Sequence, residues 1–214
     1  MRVLLVAATN RELTAATGAD ASAVDTLVTG VGMVATAAHL ARTLATRAPD
    51  LVLNVGVCGT FDRALTPGTV VNVVTDGLSE LGVQDGPAFI PADVVGLVAP
   101  DEAPYTAGRL VNPFHFTIPA LTALPRVDGI TVNTVHGDAA SIAAVVARCQ
   151  PQIESMEGAA FMYACLLAGV RFAQIRSVSN VVERRNRDAW QLEEALHSLG
   201  RVTRAIVEQA QVEA

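Results

Sequence analysis

The feature that most constrains the fold is an alternation between short apolar runs and longer segments with apolar residues at helical spacing. A continuous apolar run predicts a strand that is covered on both faces. An apolar stripe that recurs every three or four residues predicts a helix. Strands are predicted at residues 3–8, 27–31, 51–57, 69–75, 131–135 and 172–179, and helices at residues 33–48, 139–148, 157–168 and 188–212. Such alternation indicates an α/β domain with a mostly parallel sheet.

The length and the apolar content favour a single domain that spans residues 1–214. The chain has 214 residues, of which 51% are hydrophobic, so it has enough apolar surface to bury a sizeable core. Residues 76–122 are rich in Pro and Gly and show poor periodicity. A long irregular insert in a compact domain is more often a substrate-covering or interface loop than a linker.

The basic residues exclude several classes of enzyme. All 15 of them are arginine, and the chain has no lysine. A P-loop NTPase, a Schiff-base aldolase and a pyridoxal-phosphate enzyme each need a lysine. The net charge of −6 also argues against nucleic acid as a partner, because nucleic-acid binding needs a basic face.

The Cys and His residues indicate neither a disulfide framework nor a metal site. Cys58, Cys149 and Cys165 are scattered without a CxxC pair, and the four His show no HExxH spacing. Scattered cysteines fit a reducing cytoplasm. The N-terminal apolar run is short and favours a first strand over a signal peptide, and no run reaches the length of a membrane span. We therefore expect a cytoplasmic protein without a membrane partner.

Polar residues follow the predicted strands, where ligands bind in parallel α/β sheets. The segments concerned are residues 9–12, 54–61, 154–160 and 176–180. Glu157 begins a helix of small and apolar residues, where a buried carboxylate is costly unless it is hydrogen-bonded; alternatively, its charge simply favours the helix N-terminus. Glu12 and Asn180 alone equally fit a first helical turn and a turn cap.

Together, these segments resemble the nucleoside phosphorylase and purine nucleosidase superfamily over nearly the whole chain. Residues 181–190 are most similar to its futalosine hydrolase family, nucleosidases of bacterial menaquinone biosynthesis. The resemblance implies a single-domain, three-layer α/β/α fold with a mixed, mostly parallel central sheet. It also implies a homo-oligomer, dimer or higher, that needs no cofactor. The motifs that carry it are Glu12, Gly30-Val-Gly32-Met-Val-Ala, Asn54-Val-Gly56-Val-Cys-Gly59, Met156-Glu157-Gly-Ala-Ala and Arg176-Ser-Val-Ser179-Asn180.

The resemblance also implies roles for individual residues. Glu157 matches the glutamate that accepts hydrogen bonds from the ribose hydroxyls and faces the cationic sugar. Glu12 matches the carboxylate that activates water. Met156 matches the residue that packs against the sugar, although a core methionine is a rival interpretation. Further substrate contacts are expected from Gly56, Gly59 and Ser155.

Asn180 indicates which purine leaves. In the methylthioadenosine/S-adenosylhomocysteine nucleosidases an Asp stands at this position and protonates N7 of adenine. An amide has no titratable proton, but it presents both a donor and an acceptor. That pattern suits the O6 and protonated N7 of hypoxanthine, so the expected reaction releases hypoxanthine and dehypoxanthine futalosine from futalosine.

The carboxylated tail of futalosine needs a cation, and only Arg or His residues are available. Candidates for the tail site are Arg184, Arg185, Arg187, Arg109 and His115, with Phe114 and Phe116 as stacking partners for its ring. The arginine cluster equally fits a solvated turn, and the two aromatic residues equally fit loop anchors. His136-Gly137-Asp138 matches a Gly-Asp pair that shapes the pocket in the family, while a role for His136 is left open.

Alternative functions remain within and outside the superfamily. One is a methylthioadenosine/S-adenosylhomocysteine-type nucleosidase or a purine nucleoside phosphorylase. Phosphorylases grip phosphate with an Arg in a glycine–proline motif after the first strand; here that stretch has only Arg11 and no such motif. A more remote alternative is a non-catalytic nucleoside-binding protein. Retention of both Glu12 and Glu157 argues against it, because binding alone has little use for a water-activating carboxylate.

Overall fold

The structure is a computed structural model that describes residues 1–18 and 24–212, apart from the side chain of Arg187. Strands and helices alternate as the sequence predicts. The strands are β1 Val3–Ala7, β2 Asp25–Val28, β3 Leu51–Thr60, β4 Val70–Asp76, β5 Gly82–Asp85, β6 Ala88–Pro91, β7 Leu110–Val111, β8 Arg126–Thr131, β9 Ile153–Ser155 and β10 Phe172–Val181. The helices are α1 Asn10–Thr17, α2 Met33–Leu44, α3 Pro119–Thr122, α4 Ala139–Cys149, α5 Gly158–Ala168 and α6 Leu192–Val212.

The main sheet has eight strands and is mixed but mostly parallel, as expected. Parallel pairs join β1 to β2 and β3, β3 to β10, β4 to β8, and β8 to β9. Antiparallel pairs join β10 to β4, β3 to β9, and β4 to β7. Strands β3, β10, β4, β8 and β9 thereby form a closed ring, a barrel-like closure that the expectation of a plain three-layer sheet did not include. Closure leaves these strands without a free edge.

The apolar residues of β1 divide between two clusters because successive side chains point to opposite faces of a strand. Val3, Leu5 and Ala7 belong to a cluster that includes residues of α1, α3 and α6. Leu4 and Val6 belong to a second cluster with residues of α2 and α5. Helices therefore cover both faces of this part of the sheet, which explains why its strands are continuous apolar runs. Within the described residues, no helix is both long enough and apolar enough to cross a membrane.

Several predicted bounds were wrong. The strand predicted at residues 131–135 lies at Arg126–Thr131, where exposed polar residues alternate with buried ones. That alternation is typical of a half-buried strand. The helix predicted over residues 33–48 ends at Leu44, before Pro49. The insert at residues 76–122 contains the hairpin β5–β6, the short β7 and the four-residue α3.

A buried polar cluster joins the sheet to α5. Asp76 accepts hydrogen bonds from Thr131 Oγ1 at 3.0 Å and from Gln174 Nε2 at 3.0 Å. Thr131 Oγ1 in turn accepts the backbone N–H of Ala159 at 2.6 Å. A Cβ at Gly158 would lie 2.1 Å from Gln174 Oε1 and 2.2 Å from Asp76 Oδ2. The helix therefore approaches the sheet at a distance that only glycine permits.

We expect Gly158→Ala to destabilise the fold by about 1–3 kcal/mol, since the added methyl overpacks this cluster. In an ordinary helix interior the same substitution stabilises by about 1 kcal/mol, so the sign of the change is diagnostic. Urea unfolding of both proteins measures it. Gly77→Ala is the matched control, because a Cβ there meets nothing closer than 3.6 Å. Equal stability of the two variants would contradict the close approach.

Burial raises the pKa of Asp76, while hydrogen bonds from Gln174, Thr131 and the Gly77 backbone oppose the rise. The folded state therefore holds this proton to higher pH than the unfolded chain, whose Asp pKa is about 3.9. Stability from this residue is lost as pH rises from about 4 through the folded-state pKa. We expect wild type to lose stability relative to Asp76→Asn over that window, measured by urea unfolding at several pH values. Parallel pH profiles would contradict this expectation.

Candidate active site

The carboxyl ends of β1, β3 and β10 lie side by side, because these three strands are consecutive and parallel in the sheet. Glu12 follows β1, the glycines of β3 lie near its end, and Asn180 lies at the end of β10. Glu157 immediately precedes α5. The topology thus gathers segments that are up to 168 residues apart in sequence, from Glu12 to Asn180.

Glu12 is held at the start of α1 by a reciprocal capping arrangement. Its Oε2 accepts the Thr9 backbone N–H at 3.0 Å and the Thr9 hydroxyl at 2.7 Å, while Thr9 Oγ1 accepts the Glu12 N–H. Its Oε1 accepts the backbone N–H of Val57 at 3.2 Å. The side chain is buried, so its orientation is fixed by these bonds rather than by solvent. A residue that could simply start a helix therefore also bridges β1 and β3.

Arg176 lies at the centre of the site and is completely buried within β10. Its Nη2 donates to Asn54 Oδ1 at 2.6 Å, and its Nε donates to Gln174 Oε1 at 3.1 Å. A Cβ at Gly56 would lie 2.2 Å from Arg176 Nη1 and 2.9 Å from Glu12 Oε1. The Arg176 guanidinium and the Glu12 carboxylate therefore both lie close to the backbone of Gly56.

Glu157 lies on another side of the guanidinium, with Oε2 at 3.8 Å from Arg176 Nη1. Its Oε1 accepts the backbone N–H of Gly32 at 3.0 Å. Gly32 is the N-cap of α2 and has a φ of +95°, so the loop directs a helix N-terminus at the carboxylate. The buried charge of Glu157 is thus balanced by a hydrogen bond, a helix dipole and a nearby cation.

The residues just before α5 have different environments. Ser155 is buried at the end of β9, and its Oγ accepts the Gly158 N–H at 3.2 Å. Met156 is half-buried and is absent from the apolar clusters formed by the described residues. Met156 therefore lies beside Glu157 and outside these apolar clusters.

Asn180 follows a break in the regular pairing of β10 with β3, between Val178 and Asn180. Its Oδ1 accepts the Ser179 hydroxyl at 2.8 Å, and its Nδ2 donates to the Val181 carbonyl at 3.0 Å. A Cβ at Gly59 would lie 3.4 Å from Asn180 Nδ2 and 2.8 Å from a methyl of Val182. Gly59 thus leaves room beside the amide.

A cavity of about 200 Å³ opens beside Asn180. Its wall includes His136, Arg185 and Trp190, and the Arg185 guanidinium lies 5.6 Å from the Trp190 ring centre. Arg184 is exposed and does not line this cavity. The structure therefore brings Arg185, rather than its neighbour, to the side of Asn180, and the side chain of Arg187 lies outside the described part.

His136 lines this cavity and forms a largely buried pair with Glu154 behind it. His136 Nδ1 lies 2.6 Å from Glu154 Oε2, and the His136 backbone N–H donates to Glu154 Oε1 at 3.1 Å. Burial raises the pKa of Glu154, and the hydrogen bonds from His136 oppose the rise. Asp138, by contrast, caps α4 by accepting the N–H groups of Ala140 and Ser141.

Phe114 and His115 lie near the start of β10, at the opposite end of that strand from Asn180. The Phe114 ring packs edge-on against Phe172, with 5.6 Å between centres, and Arg171 donates to the His115 carbonyl at 3.3 Å. Phe172 begins β10 whereas Asn180 lies near its end, a separation of about 26 Å at the rise of an extended strand. Neither residue meets Asn180 within the same chain.

From the sequence, no role was assigned to Arg176 or Glu154, although each side chain makes two hydrogen bonds in the structure. The signal for Arg176 was a charged residue inside a strand that is otherwise uncharged. Glu154 begins the polar segment 154–160, but no local pattern indicated its pairing with His136, which comes from a loop 18 residues earlier. Among the described residues, no group of three or more His, Cys, Asp or Glu side chains could hold a metal ion.

Comparison with known proteins gives a consistent result. Residues 7–209 match the family described as the phosphorylase superfamily. Futalosine hydrolase of Thermus thermophilus is 31% identical over 85% of this chain and 80% of its own length. Futalosine hydrolase of Acidothermus cellulolyticus is 35% identical over 82% of this chain and 71% of its own length.

Solved structures share the fold at lower identity. A methylthioadenosine/S-adenosylhomocysteine nucleosidase from Colwellia psychrerythraea, in complex with adenine, has a TM-score of 0.77 at 18% identity, covering 98% of this chain and 95% of its own. Futalosine hydrolase of Helicobacter pylori has a TM-score of 0.78 at 14% identity, covering 97% of each chain. The matched residues and the sequence relatives together establish that this chain belongs to the phosphorylase superfamily, in the group that contains the futalosine hydrolases.

Proposed function

We propose that this protein is a nucleosidase that hydrolyses the N-ribosidic bond of futalosine, releasing hypoxanthine and dehypoxanthine futalosine in menaquinone biosynthesis. The observation that carries the proposal is the pair of buried carboxylates, Glu12 and Glu157, held around Arg176 in a chain whose relatives are futalosine hydrolases. The reaction needs water as co-substrate and no cofactor.

Glu157 is the residue that we assign to the ribose. Cleavage of an N-ribosidic bond passes through a sugar with oxocarbenium character. A carboxylate that accepts hydrogen bonds from ribose hydroxyls also stabilises the positive charge that develops on the ring. Among the described residues, one bond, from the Gly32 N–H, fixes Glu157 Oε1, so lone pairs remain for the hydroxyls. Met156 packs on the sugar beside it, with Ser155 and Gly56 completing this wall.

Glu12 is the residue that we assign to water. A general base must be held within hydrogen-bond reach of the nucleophile and in a fixed orientation. The hydrogen bonds from Thr9 and Val57 provide that orientation. A Cβ atom at Gly56 would lie only 2.9 Å from Glu12 Oε1. The absence of a side chain at Gly56 lets the Arg176 guanidinium lie beside this carboxylate.

Asn180 is the residue that we assign to the purine base, with Gly59 leaving room beside it. Its amide offers an acceptor and a donor for the 6-oxopurine edge. The bonds that it makes to Ser179 and Val181 hold the amide in place. For the anionic tail we retain Arg184 and Arg185 as candidates, and Arg185 lines the cavity beside Asn180.

We also propose that the protein is a cytoplasmic, single-domain homo-oligomer. Phe114 and His115 are separated from Asn180 within one chain, so a contact of either residue with the tail requires a neighbouring copy. Val31 and Val34 are 57% and 82% exposed next to Gly32, the partner of Glu157, which suits an oligomer contact beside the site.

Phosphorolysis is disfavoured by the position of Arg11. This residue is the basic group after β1, and it forms an exposed ion pair with Glu193 on α6. It therefore faces α6 rather than a phosphate site between Glu12 and Glu157. A methylthioadenosine-type nucleosidase is the second candidate, favoured by the shared fold and disfavoured by the amide at position 180.

Turnover of purified protein with futalosine, inosine and methylthioadenosine, each with and without phosphate, tests the proposal. We expect hypoxanthine release from futalosine without phosphate, at a kcat/KM well above those of the other two nucleosides. Strict dependence on phosphate would identify a phosphorylase instead. Preference for methylthioadenosine would identify the second candidate.

We expect Glu12→Gln and Glu157→Gln each to lower kcat with futalosine by about 10²–10⁴-fold, since each removes a charge that acts in the transition state. Steady-state hypoxanthine release measures the effect. Glu208→Gln is the matched control, because Glu208 is exposed on α6. Near-normal turnover of either variant would remove that residue from the mechanism.

Asn180→Asp should shift the preference from 6-oxopurine to 6-aminopurine nucleosides, because a carboxyl group can protonate N7 and no longer donates two N–H bonds. The ratio of kcat/KM for inosine and adenosine in both proteins measures the shift and serves as its own control. An unchanged ratio would refute the assignment of Asn180 to the base.

A further inference from the structure

The structure holds an ionisable pair beside Asn180 to which the roles above give no task. Asn180 has no titratable proton, yet a purine leaves more easily when it takes up a proton as its bond to the sugar breaks. We propose that His136, held by Glu154, is a further catalytic residue that donates this proton to the departing purine. The inference rests on the proposed function and deepens it.

The pair is built so that one ring nitrogen is fixed and the other remains for substrate. Nδ1 of His136 is bound to Glu154 Oε2 at 2.6 Å, which leaves Nε2 as the nitrogen for the base. The second carboxylate oxygen accepts the His136 backbone N–H at 3.1 Å. Glu154 therefore holds both the ring and the backbone N–H of His136, and we assign it as a positioning residue.

The surroundings of the pair favour a positively charged His136 ring before the base departs. Both side chains are largely buried, with 13% of His136 and 4% of Glu154 exposed. A carboxylate in contact with the ring stabilises its positive charge more strongly there than in water. The Phe61 ring lies edge-on at 6.3 Å and helps to enclose the imidazole.

His136 is in place to meet the same base as Asn180, because both residues line the cavity of about 200 Å³. The amide identifies the 6-oxo edge, and the imidazolium supplies the proton that an Asp at position 180 would otherwise provide. Recognition of the base and donation of the proton, which a single Asp at position 180 would perform, are thus divided between Asn180 and His136.

The proposed step is balanced in atoms and electrons. The C1′–N9 bond breaks, its electron pair stays with the purine, and the proton on His136 Nε2 moves to a purine nitrogen. Water bonds to C1′ and gives its proton to Glu12. Solvent then returns one proton from Glu12 to His136, so the protein is unchanged after one turnover.

Other charged groups also lie near the imidazole. Glu183 and Arg185 line the same cavity, and Glu183 lies 3.5 Å from Arg63 in an ion pair. Glu80 acts on the Glu154 carboxylate by charge repulsion. Variants at His136 and Glu154 must therefore be compared with wild type over a full pH range.

The test is the turnover of His136→Asn with futalosine, inosine and methylthioadenosine between about pH 5 and 9. With the best substrate we expect kcat to fall at least about 100-fold, with KM within a few-fold of wild type. Wild-type kcat should decline on the alkaline side as His136 loses its proton, and the variant should lack that decline. His197→Asn is the matched control, since His197 is exposed on α6.

Glu154→Gln separates catalysis from folding, since its carbonyl still accepts the Nδ1–H but carries no charge. We expect the alkaline decline to move to lower pH, with a smaller loss of kcat than in His136→Asn. A purely structural clamp would instead lower the melting temperature and raise KM while leaving the pH profile in place, which would overturn the proposal.

The failure of this inference is distinguishable from that of the proposed function. A wild-type protein that cleaves none of the three nucleosides overturns both. A wild type that cleaves futalosine while His136→Asn stays within threefold of its kcat, or keeps its alkaline decline, overturns only the role of His136. Should His136→Asn fail to fold, His136→Gln is read by the same criteria, and the Glu154→Gln pH profile decides the outcome.

Discussion

The burial of one guanidinium in the sheet organises the rest of the site. Arg176 lies inside β10 with no exposed surface, and a buried charge is costly unless it is bonded and balanced. Asn54 and Gln174 accept its N–H groups, and Glu157 provides a negative charge at 3.8 Å. Removing any of these partners would leave polar groups unsatisfied in the interior.

The buried Arg176 also requires that backbone and side chains approach one another closely elsewhere in the fold. Gly56 lets β3 pass next to the guanidinium, and Gly158 lets α5 pass next to Gln174 and Asp76. Gln174 links the two regions, because its oxygen accepts from Arg176 and its nitrogen donates to Asp76. Hydrogen bonds therefore link Arg176 through Gln174 to Asp76 in the core, and Glu157 contacts this network through its ion pair with Arg176.

The residues that the sequence identified and those that it missed differ in how they are held. Glu12 and Glu157 received roles through the family resemblance, because each belongs to a motif at the boundary between a strand or loop and a helix. The pair of His136 and Glu154 received no such role, since its 2.6 Å contact joins a loop to a three-residue strand. Phe114 and His115 looked suitable by composition, but the structure packs Phe114 against Phe172 at the start of β10.

The sequence by itself determined the α/β class, most strands and helices, and the motifs that carry the family resemblance. These depend on periodicity and on residue types at element ends, which are local properties. The tertiary structure alone decided that β3, β10, β4, β8 and β9 close into a ring and that Arg185, rather than Arg184, lies beside Asn180. Strand order and side-chain neighbours depend on contacts between distant segments, and no local pattern encodes which buried partner satisfies a given charge.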